Sequence, residues 1–405
     1  MPVSTKQLAI DGGEPLREHP FAPWPHFSDE EIIKAEEVLR SGKVNYWTGE
    51  EGRKFEIEFA ESLGMKHAIV VANGSLALEL ALVALEIGPG DEVITTPRSF
   101  IASSSCAVMR GAKPVFAEVD RDSGCITAET IREKITMKTK AVIPVHLGGW
   151  PANMTAIMAL ATEHGIAIIE DCAQANGAKY DGKPVGSYGM INAFSFCQDK
   201  IITTAGEGGM VATNDEFLWK KMWAYKEHGK NYEMVYTKEH PLGFRWLHES
   251  FGTNWRLTEI QSAIGRIQLH KLAHCVEARR KNAMFLQRRF AHLPALRVTV
   301  PEKKCEHAYY KYYTYVRPER LRPGWDRGRI MKAVQMEGVP CFSGSCSEIY
   351  LEKAFPQECR PAERLPVARE LGETSLMFHV HPTLKEGDLE DTARAVEAVM
   401  AAATR

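Results

Sequence analysis

Two side chains in this sequence carry groups suited to covalent and proton chemistry: a lysine amine and a carboxylate. Lys200 closes the stretch Ala193-Phe-Ser-Phe-Cys-Gln-Asp-Lys200. It is followed by Thr203, Thr204, the glycines Gly206, Gly208 and Gly209, and the apolar segment Met210 to Ala212. A lysine at the base of such a loop serves either as an ion-pair partner or as a nucleophile. Upstream, Ile166-Ala-Ile-Ile-Glu-Asp171 is a short apolar run ending in two acids. It reads as a buried parallel strand with its carboxylates at the C-terminal edge, where open α/β sheets hold ligands. An acid at a strand end and a lysine on a later loop are what a pyridoxal phosphate site requires. The lysine forms the Schiff base and the acid pairs with the pyridinium nitrogen.

The rest of the chain must position these groups. A length of 405 residues predicts two domains. An apolar content of 44% and a charged content of 25% fit a soluble globular protein. The net charge of −2 gives no electrostatic reason to expect nucleic acid or an anionic membrane as partner. No apolar run reaches membrane-spanning length, and Met1 to Gly13 lacks the apolar core of a signal peptide. A cytoplasmic location is therefore expected. The nine cysteines are scattered without a Cys-x-x-Cys pair, so neither a metal site nor a disulfide framework is expected. Cys172 and Cys197 flank the expected site and read as packing residues.

Residues 1–25 hold Pro15, Pro20, Pro23 and Pro25 and read as an arm that must lie on other structure. Ser28 and Glu31 form a capping-box pattern for a helix over 29–41. The loop Tyr46-Trp-Thr-Gly49 suits a turn or a binding loop, and Phe55, Phe59 and Leu63 mark one helix face. Strands are then expected at 68–72, 92–96, 113–119, 141–146 and 166–171. Helices are expected between them, at 76–85, 101–110, 128–135 and 153–164. That alternation marks a mostly parallel sheet covered on both faces. Further on, 257–284 reads as one long helix or a pair, 308–316 as a tyrosine-rich strand, 327–337 as a helix and 388–402 as a final helix. The expected division is a large domain over 26–274 and a small C-terminal α/β domain over 275–405.

Asn73-Gly-Ser75 lies between a strand and a helix. A phosphate there would meet helix N–H groups and the Ser75 hydroxyl, though Asn and Ser also cap helices without any ligand. Phe100 sits at another strand end, placed either for ring stacking or for the core. Several motifs occur in order: Asn73-Gly-Ser-Leu-Ala-Leu78, Gly88-Pro-Gly-Asp-Glu-Val93, Ser99-Phe100, Pro144-Val-His146, Glu170-Asp-Cys-Ala-Gln-Ala175, Phe194-Ser-Phe196, Lys200, Gly206-Glu-Gly-Gly209 and Gly252-Thr-Asn-Trp-Arg-Leu-Thr-Glu259. Together the set resembles the DegT/DnrJ/EryC1/StrS family of sugar aminotransferases, which have the fold-type I architecture. The resemblance spans about residues 20 to 400.

The resemblance implies a role for each matching position. Lys200 would be the Schiff-base and proton-transfer lysine. Asp171 would face the pyridine nitrogen, Gln174 the ring's 3′-oxygen and Phe100 the ring face. Gly74, Ser75 and Ser195 would hold the phosphate, and Asn254 would reach it from the neighbouring subunit of a homodimer with shared active sites. L-glutamate would be the donor and a nucleotide-linked 4-keto-6-deoxy sugar the acceptor. Lys226, His228, Lys230 and Arg256 are candidates for its diphosphate, or else a solvated surface. His146 reads equally as a core histidine. Ser195-Phe-Cys-Gln198 departs from the Ser-Phe-His-Pro of many family members and resembles those acting on cyclitols and on aminohydroxybenzoate precursors. Asn153, where many carry Asp, is a smaller departure. The rivals are an aminotransferase of a free keto-cyclitol and a cofactor-binding regulator without turnover. A nucleotide-dependent dehydrogenase would need Gly-x-Gly-x-x-Gly where Asn73-Gly-Ser75 stands.

Overall fold

The computed structural model describes residues 7–405. Its first nine strands are β1 (His67–Val71), β2 (Glu92–Thr95), β3 (Lys113–Phe116), β4 (Thr139–Ile143), β5 (Ala167–Asp171), β6 (Lys179–Tyr180), β7 (Lys183–Pro184), β8 (Ile191–Ser195) and β9 (Gly209–Thr213). All but β6 and β7 join one sheet in the order β1-β9-β8-β5-β4-β2-β3. Pairing is parallel throughout except at β9, which runs antiparallel to both β1 and β8. The lysine stretch therefore begins inside a strand, β8, and returns along β9. A short connection between adjacent strands makes an antiparallel pair, whereas parallel neighbours need a long crossover. Helices Gly74–Ala84, Ala102–Met109 and Met154–His164 supply the crossovers. The central strands are apolar and buried on both faces, as helix-covered parallel strands must be.

A second sheet takes the order β10-β12-β13 from β10 (Leu296–Val298), β12 (Tyr312–Val316) and β13 (Ser375–Phe378). The intervening β11 (Cys305–Glu306) pairs with β6. The expected long helix is a single one, Glu259–Phe290. Its first residue, Glu259, is buried. Its carboxylate accepts the Glu51 and Gly52 N–H groups at 2.6 and 3.0 Å, capping the helix Glu51–Leu63. The far end of the long helix packs Leu286 and Phe290 into the core of the second sheet.

The tyrosine-rich strand starts at Tyr312, not at residue 308. The backbone before it bonds elsewhere: Ala308 N–H donates to Gly149 at 2.9 Å, and Tyr309 takes a left-handed φ of 48°. This detour carries Tyr310 away from its sheet and toward Lys200.

The N-terminal arm lies on the C-terminal part of the chain. Leu8 is buried there, and Glu337 accepts the Ala9 and Leu16 N–H groups at 2.8 and 3.0 Å. Arg17 pairs with Asp388 and Asp391. Residues 1–6 of the expected arm lie outside the described residues. Among the described residues no helix is long and apolar enough to cross a membrane.

Candidate active site

The C-terminal edge of the large sheet gathers most of the residues singled out by sequence. Gly209 opens β9 between Val71 and Ser195, so the ends of β1 and β8 lie side by side. Gly74 then faces Ser195 closely: a Cβ at Gly74 would stand 2.6 Å from the Ser195 Cβ. Only glycine leaves that gap open. Asn73 Oδ1 accepts the Leu76 N–H at 3.0 Å and so caps the helix Gly74–Ala84. The first N–H groups of a helix have no partner within it, and the exposed Ser75 adds a hydroxyl there. Helix N–H groups and a hydroxyl together make a site suited to an anion such as phosphate.

Asp171 ends β5 and is 4% exposed. Its Oδ2 accepts the Ser103 hydroxyl at 2.7 Å and its Oδ1 the Ala173 N–H at 3.1 Å. Burial holds this carboxyl above the ordinary aspartate range, against the pull of those donors and of His146 and Lys200. Such an acid is completed by a cationic partner. Gln174 is buried, and its Oε1 accepts the Gly148 N–H at 2.8 Å. Phe100 is 67% exposed at the mouth of the edge and does not enter the core.

Lys200 lies in the loop between β8 and β9, where its N–H donates to Cys197 at 3.0 Å. Its amine stands 3.3 Å from the Tyr310 hydroxyl and 3.5 Å from Asp199 Oδ1. Tyr310 in turn donates to Asp199 Oδ2. Trp24, from the arm, donates its indole N–H to the Lys200 carbonyl at 2.9 Å. Sequence reasoning passed over Ser103, Asp199, Tyr310 and Trp24. Ser103 lies on the helix Ala102–Met109, and only the packing of that helix against β5 singles it out. Tyr310 and Trp24 are brought in only by contacts more than a hundred residues long.

Other expectations resolve differently. Asn254 is exposed, and its Oδ1 accepts the Arg256 N–H at 3.4 Å, while Trp255 accepts the Ala72 N–H beside Asn73. Lys226 is not a surface group: it is fully buried. Its amine lies 3.8 Å from the Tyr46 ring centre, 3.3 Å from Glu227 and 3.7 Å from Glu56. Arg256 is paired with Glu227 at 2.6 Å, Lys230 lies over the Trp47 ring, and His228 is exposed. His146 is a satisfied core histidine. Its Nδ1 accepts the Ala152 N–H and its Nε2 meets Glu170, which also accepts three backbone N–H groups. His146, Glu170 and Cys172 come within metal-ligand distance of one another. The lone pairs of His146 and Glu170 are already engaged, however, and burial keeps the Cys172 thiol protonated.

The model of the DegT/DnrJ/EryC1/StrS aminotransferase family matches residues 25–397. The chain belongs to that family. A curated relative from Acidithiobacillus ferrooxidans, a UDP-N-acetyl-3-dehydro-alpha-D-glucosamine 3-aminotransferase, is 36% identical over 94% of this chain and 95% of its own. Another, an L-glutamine:2-deoxy-scyllo-inosose aminotransferase from Streptomyces kanamyceticus, is 33% identical over 99% of this chain and 98% of its own. Among solved structures, an aminotransferase from Psychrobacter cryohalolentis superposes with a TM-score of 0.93 at 55% identity. That match covers 95% of this chain and 99% of the other. The fold is that of fold-type I aminotransferases, and the chain is an aminotransferase that uses pyridoxal phosphate. The residues present fit that group: the cradle at Gly74 and Ser195, a buried acid ready for a cation, and a lysine amine at one sheet edge.

Proposed function

We propose that this aminotransferase moves an amino group from L-glutamate to a nucleotide-linked keto sugar, with Lys200 as its catalytic residue. The observation that supports this best is the placement of the Lys200 amine on the sheet edge that also carries the buried Asp171. The bound cofactor supplies an electron sink, which lets a C–H bond beside the substrate nitrogen ionise. The chain supplies the rest. Lys200, as the free base, takes the proton from the donor carbon and returns it one position away. Tyr310 and Asp199 hold the amine in place between these transfers. Asp171 holds a proton on the pyridine nitrogen, and Ser103 keeps that carboxylate oriented. Gly74, Ser75 and Ser195 seat the phosphate, Gln174 and Phe100 border the ring, and Asn254 serves the site of a partner subunit. Residues 26–274 form the cofactor domain in this reading and 275–405 the small domain, with the helix Glu259–Phe290 crossing the boundary. The nine cysteines are all free, which supports a reducing, cytoplasmic setting.

The nucleotide-linked acceptor rests on the Acidithiobacillus relative, whose name specifies a 3-keto UDP-sugar. The 4-keto-6-deoxy class is the other sugar acceptor to be tried. A free keto-cyclitol is the second reading, favoured by Gln198 and by the Streptomyces relative.

The test begins with the absorption spectrum of the loaded enzyme before and after L-glutamate or L-glutamine. Acceptors of each kind are then added to the aminated enzyme. Lys200→Ala is expected to keep the fold and slow the donor half-reaction by roughly 10²- to 10⁴-fold. An unchanged spectrum with every donor would overturn the donor assignment. Activity retained in Lys200→Ala would overturn the role of the lysine.

A further inference from the structure

A cleft of about 550 Å³ opens beside the lysine loop, between the arm and the small sheet. Pro20, Pro23 and Trp24 form one wall, and Val339, Pro340 and Phe342 another. Its floor is polar: Arg279, Lys311, Asp199, His379 and His381. Asp199 is the link to the chemistry, since it borders the cleft and also stands 3.5 Å from the Lys200 amine.

Arg279 decides what the cleft is suited to hold. It lies mid-way along the helix Glu259–Phe290 and is 2% exposed. One nitrogen, Nη1, donates to the Tyr310 carbonyl at 3.1 Å. The other two, Nε and Nη2, have no hydrogen-bond partner, and among the described residues no carboxylate pairs with this guanidinium. A buried guanidinium left in that state is costly. Burial lowers its pKa to about 10, against the opposing pull of Cys275, Tyr310 and Asp199. Trp24 stacks near the guanidinium carbon at 5.0 Å and holds the plane in position. The two free nitrogens share one edge of the guanidinium, and that edge matches both oxygens of a carboxylate.

Lys311 adds a second cation. It lies 3.7 Å from Asp199, and burial draws its pKa down to about 8. The histidines stay neutral: burial holds His379 at about 4 and His381 at about 3. The cleft therefore offers two cations against one acid, and that acid is already shared with Tyr310 and Lys200.

We propose that the free edge of Arg279, with Lys311 beside it, binds a carboxylate of the amino-acid donor and of its oxo-acid product. This rests on the aminotransferase reading of the Lys200 edge. The donor is the reactant that always brings a carboxylate to a transamination, whereas the carbonyl of a keto sugar or cyclitol brings none. A uronic acid acceptor would present the same group, and the experiment separates the two sources.

The probe is glutarate, a five-carbon diacid with neither amine nor carbonyl, which binds without reacting. Its affinity is measured by calorimetry on the cofactor-loaded enzyme, with D-glucuronate in parallel. Arg279→Lys, Arg279→Gln and Lys311→Met are compared with the parent. Folding is checked by thermal midpoint and cofactor absorbance. Glutarate is expected to bind the parent and to compete with L-glutamate. Its Kd should rise at least about tenfold in Arg279→Gln and Lys311→Met, as loss of a charged hydrogen-bond pair requires. Arg279→Lys, which keeps the charge but loses the two-nitrogen edge, should fall between. The KM for L-glutamate should rise in step and that for the acceptor should not. Unchanged glutarate affinity in folded variants overturns the proposal, and Lys311→Met decides alone if the Arg279 variants do not fold. Loss of glucuronate binding in place of glutarate binding overturns the donor assignment. A parent that binds glutarate but reacts with no amino acid would instead overturn the proposed function while leaving the carboxylate site standing.

Discussion

Asp171 shows how much one hydroxyl contributes. Its carboxylate is buried at the end of β5, and Ser103 supplies its side-chain donor at 2.7 Å. Removing that hydroxyl costs about 1.5–3 kcal/mol of the charged form's stabilisation, the usual worth of a hydrogen bond to an ion. Ser103→Ala should therefore slow the donor half-reaction by roughly tenfold to a hundredfold while the cofactor still binds. Losing a donor raises the carboxyl's pKa further above its already elevated position, so the acid limb of the rate profile should move to higher pH. A slower variant with an unmoved acid limb would reduce Ser103 to a packing residue. The place of Asp171, buried at the end of β5, was legible in the sequence because a short apolar run ending in acids reads as a strand with its carboxylates at the edge. Ser103 was not, because a serine in a helix carries no signal until the facing strand is known. Lys226 misled for the opposite reason. Its charged neighbours in sequence suggested a surface, but the Tyr46 ring, the buried Glu227 and the part-buried Glu56 enclose it.

At the scale of elements, alternation of strand and helix identified β1 to β5, since period and length are local properties. The apolar segment after Gly209 reads as a strand, which is β9, but β8 and its pairing with β9 were hidden because β8 runs into a loop that carries no period. The segment His307–Lys311 was hidden because its hydrogen bonds run to Gly148 and Gly149, far away in sequence. That segment brings Tyr310 to Lys200, so its integrity bears directly on the site. Within it His307 is buried, stacked on Tyr309 at 3.8 Å, and its Nδ1 accepts the Tyr309 N–H at 2.8 Å. Burial, aided by Arg280, holds its pKa down to about 3. The unfolded chain protonates near 6.5, so between pH 6.5 and 3 the unfolded state binds the extra proton and stability falls as pH falls. At pH 5 the loss is on the order of 2 kcal/mol. The thermal midpoint should accordingly drop from pH 7.5 to 5. His307→Asn should start lower at pH 7.5 and fall less steeply. An equally steep fall in that variant would place the acid sensitivity elsewhere, with His379 and His381 next in line.

On the scale of the whole molecule, one segment is out of keeping with a single chain in water. Between the helices Tyr232–Tyr236 and Glu259–Phe290, Leu242, Phe244, Trp246 and Phe251 are largely exposed. So many large apolar groups on one stretch mark an interface, and Asn254 follows directly. Such an interface supports a homodimer in which Asn254 crosses to the other subunit's cofactor phosphate. The protein should then sediment near 90.6 kDa, twice the 45.3 kDa of the chain. Phe251→Asp should shift it toward the monomer and lower activity with it. Mixing gives the sharper test. Lys200→Ala and Asn254→Asp subunits should each be inactive as homodimers. A hybrid dimer, however, keeps one site with both a wild-type lysine and a wild-type asparagine. Random exchange between equal amounts should then restore about a quarter of the parent activity, as two-fold symmetry requires. If each Asn254 serves its own subunit, no hybrid has an intact site and mixing restores nothing, which would confine the active site to one chain.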